Sequence, residues 1–229
     1  MISNMNKLSI IIPAYNEEKT IADVLDTVLA QNYGDWEKEV IAVNDCSSDA
    51  TEEKLKPYFG RIKYLKHQTN RGKGSAIKTG LAAASGDAVI VQDADLEYDP
   101  ADIKLLLDEL DHGADVVYGS RNLNPERRGY SHYVIGSKIL DKLVNLFFWT
   151  NLTDVYTCYK LFPAKIIKQI NIESRGFELE MELTVKTLKL GYKITEVPIH
   201  YHPRKFTEGK KIRAKDGLKG IWTLLKYRF

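Results

Sequence analysis

The sequence predicts an α/β fold in one domain, in which a mostly parallel central sheet is flanked by helices. In the first half of the 229-residue chain, short apolar runs alternate with amphipathic stretches, the pattern of successive βαβ units. Polar and acidic side chains follow several of these runs, as they do at the ligand-binding edge of parallel sheets. A hydrophobic fraction of 44% and a charged fraction of 28% exclude a largely disordered chain.

Strands and helices alternate through the first half. Apolar residues recur at helical spacing after the first strand, and SSDAT and Pro100 supply start signals for two later helices. The predicted strands are Leu8–Pro13, Glu39–Asn44, Ile62–Leu65, Ala88–Gln92 and Asp115–Tyr118. The predicted helices are Ile21–Leu29, Thr51–Tyr58, Ser75–Ala84 and Asp102–Leu110.

The second half is less regular. The polar, cationic stretch Asn122–Tyr130 predicts a loop. The elements after it are the helices Ser137–Trp149, Leu179–Leu190 and Asp216–Tyr227 and the strand Ile194–Tyr201. Because the sequence contains no repeat, low-complexity tract or proline-rich linker, we predict one continuous domain over residues 1–229.

Positive charge is concentrated at the C-terminal end of the chain. The net charge is +2, yet residues 203–229 carry a surplus of about +7. A basic end on a mildly acidic body suggests an anionic partner such as a phosphate or a membrane surface, and a solvated basic helix is the alternative. The sequence contains no nucleic-acid-binding motif, so we expect no nucleic-acid partner.

Cysteine content and hydropathy bear on the cellular setting. The two cysteines, Cys46 and Cys158, form no CxxC pair, which disfavours a disulfide framework or a cysteine-rich zinc module. No apolar stretch approaches the roughly 18–20 residues that cross a bilayer, and the N-terminus has no signal-peptide pattern. We therefore expect a cytoplasmic protein.

Alternate acidic side chains leave the end of the fourth predicted strand. Asp93, Asp95 and Glu97 would project the same way from an extended backbone. Carboxylates in this arrangement suit Mg²⁺ or Mn²⁺, whose remaining ligands are usually water and substrate phosphate, so the pattern points to a nucleoside diphosphate. The alternative is an acidic turn that caps the helix near Pro100.

A glycine-rich segment, NRGKGS, opens the third predicted helix. Its backbone N–H groups and Lys73 could bind an anion at the positive end of the helix dipole. The segment matches neither GxxxxGK[ST] nor GxGxxG, which disfavours ATPase and dinucleotide-binding functions. The alternative is that its glycines serve only a tight turn and close helix packing.

The chain resembles the inverting glycosyltransferases of family 2, which have the GT-A fold, in the branch of dolichyl-phosphate mannose synthase and related polyprenyl-phosphate glycosyltransferases. The matching segments cover nearly the whole chain. In order they are IIPAYNEEKTI, VNDCSSDAT, NRGKGSAIKTG, VIVQDADLEYDP, GSRN, TCYKLF, RGFELEMEL and VPIHYHPR followed by GKK. The resemblance implies that residues 1–121 bind the nucleotide sugar and that residues 122–229 bind the acceptor.

The resemblance also implies roles for single residues. Asp95 and Glu97 would bind the metal, and Asp93 would contact the sugar or ribose. Arg121 would approach the diphosphate, and Arg204 would close over it. The residues with an implied catalytic role are Asp93, Asp95, Arg121 and Arg204. The residues implied to bind the donor are Pro13, Tyr15, Glu17, Val43, Asp45, Lys73, Asp93, Ala94, Asp95, Arg121, Arg204 and Lys211.

Two acceptor classes remain open under this resemblance. A polyprenyl phosphate is already anionic and would be oriented by Arg127, Arg128 and Ser137, although Tyr133 stands where an arginine is expected one turn before Ser137. A glycan hydroxyl would instead need a carboxylate base, for which the candidates are Glu178 and Glu180. The donor would be of the GDP-mannose or UDP-glucose type.

Membrane contact would come from a surface of the protein. Phe147, Phe148 and Trp149 end one amphipathic helix, and the last helix combines leucines and Trp222 with lysines, although core packing explains these apolar residues as well. We expect a peripheral location on the cytoplasmic face, with a homo-oligomer or a separate membrane protein as partner. A non-catalytic adaptor that binds anions or membranes is the alternative of another class.

Overall fold

The structure is a computed structural model that describes residues 6–124, 131–204 and 214–229, and the side chains of residues 131–135 and 214–216 lie outside this description. The strands are β1 (Asn6–Ala14), β2 (Trp36–Asn44), β3 (Lys63–Lys66), β4 (Ala88–Val91), β5 (Val116–Ser120), β6 (Lys160–Pro163) and β7 (Ile194–Pro198). The helices are α1 (Ile21–Ala30), α2 (Thr51–Leu55), α3 (Lys73–Ala83), α4 (Ile103–Asp111), α5 (Ser131–Phe148), α6 (Ala164–Ile167), α7 (Leu179–Lys189) and α8 (Ala214–Arg228).

The seven strands form one mostly parallel sheet in the order β3-β2-β1-β4-β6-β5-β7. β1 pairs in parallel with both β2 and β4, and β5 pairs in parallel with β7. β6 is antiparallel to both of its neighbours, so β4 and β5 on either side of it run in the same direction. The predicted α/β fold with a mostly parallel sheet is confirmed.

The core lies on both faces of the sheet, because parallel strands bury both of their sides. β1 shows this directly: Ile10 and Ile12 belong to one apolar cluster, and Ile11 belongs to another cluster across the sheet. A third cluster joins α5, α7 and α8 through residues such as Val144, Met181 and Leu224, each without measurable exposure. Among the described residues, no helix is long and apolar enough to span a membrane.

Several elements differ from the prediction: α6 was not predicted, and β2 begins at Trp36, three residues before its predicted start. β6 was not predicted, because its four residues, KLFP, include a lysine and a proline, which are both uncommon in strands. The predicted helix Thr51–Tyr58 becomes a 3-10 turn from Lys56, where Pro57 follows. α5 begins at Ser131, earlier than predicted, and β7 ends at Pro198, whose missing N–H cannot extend a ladder.

Glycines allow α3 to approach its neighbours closely. A Cβ at Gly80 would lie 2.4 Å from Cγ2 of Ile11 in β1, and a Cβ at Gly74 would lie 2.2 Å from the carbonyl oxygen of Ser174. The Gly74 N–H also donates to the carbonyl of Arg175 at 2.9 Å. These contacts bring the first turn of α3 against the segment that precedes α7.

We expect Gly74→Ala to lower the free energy of unfolding by about 1–3 kcal/mol, because the added methyl group meets a backbone oxygen that is fixed by its own neighbours. Urea unfolding measures the change. Gly60→Ala is the matched control, since nothing lies within 4 Å of a Cβ there, and it should change stability by less than about 0.5 kcal/mol. Equal effects of the two substitutions would contradict this packing.

Candidate active site

The polar segments predicted to converge do so at one edge of the sheet. Since all described strands except β6 run in the same direction, their carboxyl ends share an edge. The turns after β1, β2 and β4 each contain a non-glycine residue with positive φ, namely Asn16 (53°), Cys46 (60°) and Leu96 (60°). Such conformations cost free energy and are concentrated at functional sites.

Arg204 lies among three carboxylates at this edge. Its Nη2 donates to Asp95 at 2.9 Å, its Nη1 donates to Glu17 at 3.3 Å, and its Nε lies 3.9 Å from Glu97. Burial and the charges of Asp93 and Glu97 raise the pKa of Asp95, although Arg204 opposes this effect. Arg204 therefore offsets only part of the effects of burial and of the neighbouring carboxylates on the pKa of Asp95.

The segment after β7 is held against the segment after β4. Tyr98 and Tyr201 form an isolated antiparallel bridge, and the His202 N–H donates to the carbonyl of Glu97 at 2.8 Å. The carboxylate of Glu97 accepts the Tyr201 hydroxyl at 2.5 Å and the Arg204 N–H at 2.8 Å. These contacts bring Arg204 to Asp95, although the two residues lie far apart in the sequence.

A second cation compensates Asp93. Lys73, at the start of α3, lies 2.7 Å from Asp93 and 3.7 Å from Glu180. Although burial lowers the pKa of Lys73, these two carboxylates outweigh it and hold that pKa above its usual value. The other oxygen of Glu180 pairs with Lys160 at 2.7 Å, so Glu180 lies between two ammonium groups.

Arg121 follows β5 and forms a two-point ion pair with Asp154. Its Nε and Nη2 each donate to the carboxylate at 2.7 Å. Burial lowers the pKa of Arg121, but the charge of Asp154 raises it more, and Arg121 in turn lowers the pKa of Asp154 against the effect of burial. Both groups therefore remain charged in the folded protein.

Asp45 anchors the glycine-rich turn. It is 2% exposed and accepts hydrogen bonds from the N–H groups of Arg71 at 2.9 Å and Gly72 at 2.7 Å, and its Oδ1 lies 2.6 Å from the His67 ring. Gly72 has φ of +88°, which a residue with a side chain rarely adopts. The carboxylate of Asp45, which the resemblance implies to be a donor-binding residue, thus supports this turn.

The other residues implied to bind the donor differ in accessibility. Tyr15 is 39% exposed at the edge, and Pro13 is half-buried. Val43 and Ala94 are buried, so their side chains are directed into the protein. The sequence also implicates residues that lie outside the described parts of the chain, namely Lys211, Arg127 and Arg128.

Two further sequence-predicted residues differ in their surroundings. Ser137 is half-buried on α5. Glu178 accepts the Gly176 N–H at 3.1 Å through one oxygen, and its other oxygen is buried and accepts no hydrogen bond within the described structure. Of the two carboxylates considered as bases, Glu178 is thus the one without a described cationic partner.

Sequence reasoning missed three residues of this edge. Asp154, Lys160 and Tyr201 each contact a predicted site residue, yet none belongs to a strand-end acidic pattern. Two of them could have been found from the sequence, because Asp154 and Lys160 are charged residues in the otherwise weakly polar segment LTDVYTCYKLF. A charged residue in such a segment indicates a buried ion pair.

Comparison with known proteins identifies relatives. The family model described as glycosyl transferase family 2 matches residues 9–170. A dolichol-phosphate mannosyltransferase of Pyrococcus furiosus is 28% identical over 96% of this chain and 61% of its own length. Glycosyltransferase AglJ of Haloferax volcanii is 28% identical, with 63% of its length covered. The chain thus spans less than two thirds of these two relatives.

A third relative and a solved structure extend this comparison. A dolichyl-phosphate beta-glucosyltransferase of Trichomonas vaginalis is 29% identical over 96% of this chain and 72% of its own length. The glucosyl-3-phosphoglycerate synthase of Mycobacterium tuberculosis, crystallised with Mn²⁺, UDP and phosphoglyceric acid, superimposes with a TM-score of 0.75. That match covers 97% of this chain and 78% of the other at 22% identity, and it therefore shows a shared fold.

Asp141 of α5 lies near the Arg121–Asp154 pair. It is 5% exposed, and its Oδ1 accepts the Val155 N–H at 2.9 Å. Burial, together with the charges of Asp154 and Glu196, raises the pKa of Asp141 to about 7. An aspartate in an unfolded chain titrates near pH 4. Between about pH 4 and 7 the unfolded chain therefore releases this proton more readily than the folded protein, and the contribution of Asp141 to the free energy of unfolding falls as the pH rises.

We expect Asp141→Asn to remove the decrease in stability that ionisation of Asp141 causes as the pH rises. The variant should be more stable than the wild type above pH 7 by up to roughly 4 kcal/mol, and the two proteins should converge near pH 4. Urea unfolding between pH 4 and pH 8 tests this. The half-buried Asp108, which pairs with Lys104 on α4, supplies the control variant Asp108→Asn, and this variant should parallel the wild type. A pH-independent effect of Asp141→Asn would argue against the assignment.

Proposed function

The chain belongs to glycosyl transferase family 2, and on that premise we propose that it transfers a hexose from a nucleotide sugar to a polyprenyl phosphate with inversion at the anomeric carbon. The proposal depends on the ion pairs at the sheet edge. There Arg204 lies beside Asp95 and Glu97, and Lys73 pairs with Asp93. Alternating carboxylates and cations suit a metal ion and a diphosphate at the same place.

Asp95 and Glu97 fit a hard divalent ion such as Mg²⁺ or Mn²⁺. Both offer carboxylate oxygens, and a bound cation would counter the effects of burial and of Asp93 and Glu97, which raise the pKa of Asp95. Within the described ranges, no group of three or more His, Cys, Asp or Glu side chains is arranged to hold an ion. The diphosphate and water would therefore complete the shell, and the ion would offset charge on the leaving group.

Arg121 and Arg204 would stabilise the negative charge that develops on the leaving nucleoside diphosphate. Both guanidinium groups are largely buried, with side-chain exposures of 14% and 16%, and both are held by carboxylates. Donors held in advance in a water-poor site need little reorganisation when the glycosidic bond breaks. Asp93, held by Lys73, would orient the sugar or ribose.

The environment of Glu180 favours a phosphate acceptor. A general base must be free to accept a proton, whereas Glu180 is 6% exposed and is paired with both Lys73 and Lys160. A phosphomonoester carries negative charge at neutral pH and needs no such base. Ser137, Arg127 and Arg128 are the residues that we propose to hold it.

The exposed face of α8 supports a lipid acceptor and a peripheral membrane location. Leu218, Trp222, Leu225 and Phe229 recur at helical spacing with exposures of 40% to 85%. Lys219 is exposed on the same helix. Apolar residues beside cations are typical of helices that lie in the interface of an anionic membrane.

A glycan hydroxyl is the second candidate acceptor. Glu178 favours it, because this half-buried carboxylate has one oxygen that accepts no hydrogen bond within the described structure. Such a group could accept a proton from a hydroxyl nucleophile. The two acceptor classes are separated by whether the reaction requires a lipid phosphate.

Turnover assays test the proposal. Purified protein is incubated with Mn²⁺, GDP-mannose or UDP-glucose, and a short polyprenyl phosphate, and nucleoside diphosphate release is measured. We expect release that requires the lipid and stops on chelation. Asp95→Asn should lower the rate at least about 100-fold, whereas the surface control Asp108→Asn should not. Donor binding without lipid-dependent release would favour the hydroxyl acceptor.

Vesicle co-sedimentation tests the membrane surface. We expect the protein to bind phosphatidylglycerol vesicles, and the double variant Leu218→Ser/Trp222→Ser to bind at least about tenfold more weakly, because burial of either side chain is worth about 1.5–3 kcal/mol. Leu105→Ser on α4 is the control, since Leu105 is 43% exposed on another element. Unchanged binding of the double variant would exclude this face.

A further inference from the structure

One buried carboxylate, that of Asp154, holds Arg121 at three points, two on the guanidinium and one on the backbone. Asp154 has no measurable exposure, and it accepts from Nε and Nη2 at 2.7 Å each and from the Arg121 backbone N–H at 3.0 Å. A two-point ion pair fixes the plane of a guanidinium as well as its position. Asp154 engages two of the five guanidinium N–H donors, and within the described residues the other three are available to a ligand.

Asp154 is itself held by Glu196 of β7. The Glu196 carboxylate accepts the backbone N–H groups of Thr153 at 2.7 Å and Asp154 at 2.9 Å, together with the Thr153 hydroxyl at 2.9 Å. That hydroxyl also lies 2.7 Å from the Ser120 hydroxyl at the end of β5. The turn that carries Asp154 is thus fixed to both β7 and β5.

One face of the Arg121 guanidinium is closed by an aromatic ring. The guanidinium carbon lies 5.0 Å from the centre of the Tyr201 ring, within the range of a cation–π contact. The hydroxyl of Tyr201 donates to Glu97, which also holds Arg204. Arg121 is therefore positioned relative to the other arginine of the candidate site.

We propose that Asp154 and Glu196 are positioning residues, with Asp154 fixing the orientation of Arg121 toward the diphosphate and Glu196 fixing Asp154. This inference rests on the proposed transferase function. A free arginine side chain loses rotamer entropy when it is ordered by a ligand, and here folding has already ordered it. Arg121 then acts through oriented N–H donors, because Asp154 neutralises most of its charge.

A purely structural ion pair is the competing explanation. Buried pairs contribute little net stability on average, and removal of one partner is destabilising. Loss of stability in a variant therefore does not separate the two roles. A positioning role predicts a loss in kcat that exceeds any loss in folded protein, and it predicts that Arg121 and Asp154 act as one unit.

Kinetics of Asp154→Asn, Arg121→Ala and the double variant test this. Asparagine retains the size of the aspartate side chain and removes its charge, and each variant is assayed in the full chain with Mn²⁺, nucleotide sugar and polyprenyl phosphate. We expect each single variant to lower kcat about 100-fold with the donor KM within about threefold of the wild type. The double variant should be at most about threefold slower than the singles.

Glu196→Gln should lower kcat about tenfold. This variant replaces Asp154→Asn as the test if Asp154→Asn does not fold. Glu173→Gln is the matched control, because the described side-chain partners of Glu173 include Lys186 and Lys226 but no residue of the candidate site, and its kcat should equal that of the wild type. Full additivity of the Arg121 and Asp154 effects, or an Asp154→Asn kcat within about twofold of the wild type, would overturn the proposal.

Arginine side-chain NMR supplies a readout that does not depend on turnover. The Arg121 Nε–H resonance is assigned from its absence in Arg121→Ala. In the wild type, this Nε–H proton should exchange slowly with water. In Asp154→Asn it should exchange at least about tenfold faster. If this shift occurs but no nucleotide sugar is turned over, the transferase proposal fails and the positioning contact stands; an unchanged exchange rate overturns the positioning role itself.

Discussion

The structure depends on compensation of the acidic end of β4 by cations from distant segments. Asp93 and Asp95 lie at the carboxyl edge of the sheet, where burial of uncompensated carboxylates would be costly. Lys73 from α3 and Arg204 from the segment after β7 supply the opposing charge. Because these cations must reach the same place, the constraint ties the glycine-rich turn and the chain after the last strand to the site.

β6 connects this charge network to the rest of the sheet. It is antiparallel to β4 and β5 and places Lys160 beside Glu180 of α7, whose other oxygen lies 3.7 Å from Lys73. The ammonium group of Lys160 also lies 4.8 Å from the centre of the Tyr118 ring in β5. Glu180, one of the two carboxylates considered as a base, is consequently committed to joining β6 to the start of α3.

Regular elements were predictable where the hydrophobic period was long and consistent. The helices α1 and α4 lie within one residue of their predicted bounds, and β1 and β2 contain the predicted strands, because apolar spacing and start signals agree there. β6 was missed because its four residues, KLFP, include a lysine and a proline, which are both uncommon in strands. The start of α5 was placed too late, since the stretch SHYVIG combines β-branched residues with a glycine, which disfavours helix locally.

The sequence by itself determined the order of strands and helices from β1 to β5, the acidic end of β4 and the glycine-rich turn, because each depends on neighbouring residues. Only the tertiary structure decided which charges meet. Arg121 pairs with Asp154 across 33 residues, and Arg204 pairs with Asp95 across 109. Ion pairs over such separations follow from the strand order of the sheet, which local periodicity does not encode, and for this reason Asp154 and Glu196 emerged only from the fold.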